Sequence, residues 1–210
     1  MSLFLGKIHH ILYNKIQWFE GIEEKIIEKA KEQNISVEDL IQHINKHFGI
    51  PMGNKPLEEV IDTTNIHGWL QQRIENAEQR HAALITELLT WNPKYKSELI
   101  EIFKDQGQVA AKEYAQGADT ADTIYQALNE YILEGMPCDR VNEIVDSSEE
   151  QFTWVTTTCL HNQHWEKVNG DVNNFYTFRE AWIEAFVNEL NPKYKYVKTE
   201  DGMNRIIKRV

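Results

Sequence analysis

The chain has 210 residues, of which 41% are hydrophobic, and its 22 Lys and Arg against 33 Asp and Glu give a formal net charge of −11. A chain of this size buries roughly two thirds of its unfolded surface without help from disulfides or metals, and its acidity repels phosphate backbones and anionic lipid, which argues against nucleic acid and membrane surfaces as partners. No uncharged apolar run approaches the roughly 18 residues of a membrane span, and two cysteines, Cys138 and Cys159, are too few for a secreted disulfide framework, so the expected location is the cytoplasm.

From Leu3 to about Gln33 the residues Leu5, Ile8, Leu12, Ile16, Phe19, Ile22 and Ile26 recur at steps of three and four, one face of an amphipathic helix. That face is long enough to pack on a second copy, so a homodimer is a candidate assembly. Asn34 to Ser36 ends the helix, and Ser36 followed by Asp39 reads as the capping signal of a second helix over Val37 to Phe48, stopped by Gly49. Ile50 to Pro56 is a turn-rich loop, with Pro56 suited to open the next helix. A long helix runs from there through Thr90 with a break near Thr63 and Thr64, and its inward stripe is Ile66, Leu70, Ile74, Ala77, His81, Leu84, Ile85 and Leu88. Asn92-Pro93 stops it and starts another over Lys94 to Gln116, with Leu99, Ile102, Phe103, Val109 and Ala110 inward. Thr120 opens a further helix that stops at Gly135-Met-Pro137.

Beyond Pro137 the period changes. Arg140 to Asp146 and Gln151 to Cys159 read as a strand hairpin, Val172 to Leu190 as a covering helix, and Lys195 to Lys198 with Asn204 to Val210 as a second hairpin around Asp201-Gly202. The basic end, Arg205 to Val210, reads as an edge strand guarded by Lys and Arg. The fold class is therefore α+β and mostly helical, a helical region over 1–136 followed by an α+β region over 137–210, the two expected to form one compact domain. Arg80 to Lys96 and Arg179 to Lys195 share the run Asn-Pro-Lys-Tyr-Lys, which reads as two helices with one way of stopping rather than a duplication.

One stretch carries chemistry, QFTWVTTTCLHNQHWEK over Gln151 to Lys167. Cys159 and His161 share a side if the chain is extended there, and His161 and His164 are neighbours if a helix has begun. A thiolate and two imidazoles suit Zn as a cofactor with Cys159, His161 and His164 as its ligands, or a nucleophile with its base. The plain alternative is a core thiol with two half-exposed histidines. Trp154 and Trp165 are the candidate walls of a ligand pocket. Glu78 and His81, three apart on the long helix, join them as ligand-binding candidates; Glu-x-x-His matches one unit of a di-iron bundle, which needs two, so a core histidine is the simpler reading. His43 with His47, and His9 with His10, read as solvated pairs.

The last third resembles the L-2-amino-thiazoline-4-carboxylic acid hydrolase-like family. FTWVTTTC (Phe152 to Cys159), Trp165, Leu190-Asn-Pro192 and KYVKTEDG (Lys195 to Gly202) carry the likeness, and Thr177, Phe178 and Met203 to Arg205 stand where members have further cysteines. The resemblance implies a hydrolase that opens a small cyclic amidine or amide, with Cys159 as the residue carried over. The missing thiols imply the alternative, a ligand-binding or sensing domain that has lost the reaction. Either way the expected partner is a small molecule.

Overall fold

The first helix of the computed structural model, α1 (Lys7–Glu32), turns Leu12, Ile16, Ile22 and Ile26 inward, four of the residues its period selects. Residues 5–209 are described; the expected helix start at Leu3 and the strand end at Val210 lie outside them. The chain folds as two units, residues 1–95 with 161–172 and residues 96–160 with 173–210. The sequence regions 1–136 and 137–210 mark a change of secondary structure along the chain, and the units are drawn along other lines.

In the first unit α1 and α2 (Glu38–Phe48) pack on α4 (Ile66–Trp91), and α3 (Leu57–Val60) precedes the break at Thr63 and Thr64. Ser36 does not cap α2; Val37 occupies that position, wholly buried, and the Ser36 hydroxyl donates instead to Glu38. A buried apolar side chain at the cap fixes the entry of the helix by packing where a hydroxyl would have done so by hydrogen bonding. Every residue of the expected α4 stripe is buried. Arg80, on the same helix, is also wholly buried, and its guanidinium is held by Glu20 and by Glu23 at 3.1 Å, both on α1. A charge taken out of water survives only with such partners. The short helix α7 (Asn162–Glu166) belongs to this unit and packs on α4.

In the second unit α5 (Tyr95–Glu113, from residue 96 on) and α6 (Ala121–Leu128) accompany α8 (Val172–Leu190) and a four-stranded antiparallel sheet. The sheet runs β1 (Asn142–Ser147), β2 (Gln151–Thr156), β4 (Asn204–Lys208), β3 (Tyr194–Lys198) in spatial order. The basic C-terminal strand is thus not an edge: β4 pairs with β2 on one side and β3 on the other. Its Ile206 faces the core and outcompetes the Lys and Arg signal, because a strand that buries an apolar side chain is worth most between two partners. The acidic β1 is an edge instead, with Ile144 57% and Val145 53% exposed around a register shift. Val109, expected inward, is exposed; the buried stripe of α5 is Leu99, Phe103, Gln106, Gly107, Ala110 and Ala111.

The shared Asn-Pro stops are alike in detail. Asn92 Oδ1 accepts from Lys94 N and Asn191 Oδ1 from Lys193 N, each at 3.1 Å, while Tyr95 N and Tyr194 N donate back to the two Asn carbonyls at 3.0 Å. One turn enters helix α5 and the other enters strand β3, so the motif ends a helix without dictating the type of the next element.

Candidate functional site

The seven residues singled out in the sequence separate by unit. Glu78, His81, His161, His164 and Trp165 belong to the first, and Trp154 and Cys159 to the second.

In the first unit, α4 supplies Glu78 and His81 on its buried face, and α7 opens at His161, whose carbonyl accepts from His164 N at 2.9 Å. His161 Nδ1 lies 2.9 Å from Glu78 Oε1, and both side chains are 2% exposed. His81 packs against Phe19, ring centroids 4.6 Å apart, and edge-on to Trp165 at 6.3 Å. Burial pushes the Glu78 carboxyl up, but the imidazoles of His161, His164 and His81 outweigh it and hold the group below the ordinary carboxylate range. Burial holds His164 below the ordinary imidazole range, against the opposing pull of Glu78. Glycine at 170 lets the chain after α7 close on α4, since a Cβ there would run into the Thr86 hydroxyl and, at 3.0 Å, the Trp165 ring. The cluster is buried, with Glu78 and His161 holding each other within it. The histidines, expected half-exposed if not catalytic, are instead buried, His161 against that carboxylate.

The zinc ligand set is not assembled. Cys159 is exposed and belongs to the second unit, and among the described residues no three His, Cys, Asp or Glu side chains are grouped so as to hold a metal ion. The residues present do not fit the cofactor, because the strand that was to align Cys159 with His161 ends at Thr156, short of the thiol.

The second unit holds a small, half-open pocket, with about 40 Å³ of interior room, between one face of the sheet and helices α6 and α8. Trp154 stands in its wall, flanked by Tyr125 at 4.9 Å and Tyr196 at 6.1 Å between ring centroids. The strand register puts Trp154 and Lys198 each opposite Asn204, and Thr156 opposite Asn142, all five on the lining. Helix α8 contributes Tyr176, Arg179, Glu180 and Ile183, spaced i, i+3, i+4, i+7. Arg179 donates to Glu134 and, at 2.8 Å, to the Leu133 carbonyl, and lies 4.6 Å over the Phe175 ring. Tyr196 Oη donates to Asn204 Oδ1 at 2.7 Å, and Lys198 Nζ donates to the same oxygen at 3.2 Å. Cys159 is not on the lining, yet its thiol shares a hydrogen bond with Tyr176, which is.

Trp154 was legible as a pocket wall. Tyr176, Arg179, Glu180 and Ile183 were not, although a helical face alternating polar with apolar residues, on a helix otherwise dense in Phe and Trp, was a signal for them. Trp165, expected as the other wall, is core of the first unit. Among the described residues no helix is long and apolar enough to cross a membrane. No family model, curated protein or solved structure matches the chain.

Proposed function

We propose that this chain handles a small molecule in the pocket of its second unit. The observation that carries the reading is the row of three rings, Tyr125, Trp154 and Tyr196, walling a concave space whose rim bears Asn, Thr, Glu and Lys side chains. Apolar walls with few, placed polar groups are what small-molecule sites consist of. Binding without chemistry is the reading this geometry supports best. Hydrolysis of a cyclic amidine or amide is the second, favoured by the Cys159 thiol hydrogen-bonded to Tyr176 at the pocket. In neither do His161 and His164 act on the ligand, since both are buried. No disulfide joins the two exposed cysteines, which suits a protein of the reducing cytoplasm.

Thermal shift of the full chain against a panel of amidines, amides, amines and carboxylates tests this, because a ligand of the folded state raises its stability by mass action. A shift with the compound recovered intact supports binding; a compound recovered altered, with turnover lost in Cys159→Ala, supports the enzyme. A stabilisation that persists in Thr156→Trp, which fills the pocket with an indole, removes the pocket as the seat of function.

A further inference from the structure

The charges lining this pocket are not all committed. Arg179 is matched by Glu134 and has its other outer nitrogen on a carbonyl, so that pair is engaged within the protein. Among the described residues Lys198 donates to the neutral Asn204 amide alone, and no ion pair within them matches its charge. Glu180 is half-buried on α8 among Tyr196, Ile183 and Trp154, and among the described residues no hydrogen bond or ion pair engages it. Burial keeps its carboxyl above the ordinary carboxylate range, and Lys198 pulls it back only from a distance. A half-desolvated carboxylate without a partner is costly, while the exposed ammonium of Lys198, on the same lining and not in contact with it, keeps donors to spare for an anionic group. What completes both at once carries a positive and a negative end.

Resting on the pocket as the ligand site, we propose that it takes a small zwitterion, with the ammonium end on Glu180, the anionic end on Lys198 and an apolar or aromatic body against Trp154. A simple cation would leave Lys198 unmatched and feel its repulsion; a simple anion would do the same at Glu180. The rings reinforce the choice, because Trp and Tyr faces attract an ammonium group while stacking with a planar body.

The test uses matched probes on the full chain by calorimetry. L-phenylalanine, with both charges on one carbon, is set beside phenethylamine and 3-phenylpropionate; 4-(aminomethyl)benzoate, with its charges at opposite ends of the ring, is set beside benzylamine and 4-methylbenzoate. At least one zwitterion is expected to bind roughly tenfold tighter than both of its single-charge counterparts, the scale of one charge-assisted hydrogen bond. Glu180→Gln should remove the advantage over the carboxylate, and Lys198→Met the advantage over the amine, with the ligand-free melting temperature not lowered in either. A single-charge probe that binds as tightly as its zwitterion, or variants that leave the ranking intact, would overturn the inference while the pocket still stands as a ligand site. No binding of either zwitterion at millimolar concentration also overturns it, and the Thr156→Trp comparison then judges the pocket separately.

Discussion

Glu78 and His161 are 83 residues apart in the chain and 2.9 Å apart in space, a carboxylate and an imidazole closed off from water within the first unit. The pair holds α7 to α4 by a hydrogen bond as well as by packing. Removing one member strands the other in the interior, at a cost of about 3–5 kcal/mol. Glu78→Ala should therefore lower the urea midpoint of the first unit sharply, and the Glu78→Leu, His161→Phe double variant should be less damaging than the two single costs added together. Additive costs would mean that the two side chains are not coupled.

Acid should weaken the first unit before it reaches ordinary carboxylate titration. His164 is held below its usual imidazole value, mainly by burial, with Glu78 and Glu75 opposing and Lys167 and His161 assisting. A lowered folded value means that the unfolded chain takes up the proton first, starting at the ordinary imidazole value of 6.5, so stability is intact above that pH and falls as pH drops toward the folded value. Glu78, also lowered, adds a further loss below its unfolded value of 4.5. The slope is at most about 1.4 kcal/mol per pH unit for each proton. Melting temperatures at pH 7.5 and 5.5 should diverge in the wild type and converge in His164→Gln; equal divergence in both would assign the acid sensitivity elsewhere.

Arg80 answers to two carboxylates on α1 at once. Burial already holds the Glu23 carboxyl above the ordinary range, and Arg80 is what restrains it. Arg80→Met fills similar volume but leaves both acids buried and unmatched, so a loss of about 3–5 kcal/mol is expected, measured by denaturant unfolding at neutral pH. Adding Glu20→Gln and Glu23→Gln should recover much of it. Failure of that rescue would show that Arg80 stabilises by packing alone.

At Gly107 the backbones of α5 and α8 come close: a Cβ there would sit 2.5 Å from the Trp182 carbonyl and 3.3 Å from Phe186 N, backbone atoms that cannot turn aside. The same approach lets Trp182 Nε1 donate to Gln106 Oε1 at 2.9 Å. Gly107→Ala should cost about 1–3 kcal/mol although alanine favours helices, with the change visible in tryptophan fluorescence. A stabilised variant would show that the helices can separate without loss.

The periodic parts of this protein were determined locally. Helical stripes, the Asn-Pro stops, the β1–β2 hairpin and the α8 span are legible because each depends on residues a few positions apart, whose spacing alone says which way they face. Tertiary structure decided everything that depends on who sits opposite. It made β4 an interior strand, because Ile206 needed cover on both sides. It buried Arg80, because two glutamates on another helix were waiting. It ended β2 at Thr156, short of Cys159, and began a helix at Asn162, so the extended course that was to align the thiol with His161 is not there. And it brought Trp154, Tyr196 and Lys198 of the sheet to the Glu180 face of α8, since strand register and helix phase fix such a meeting only after both elements have packed.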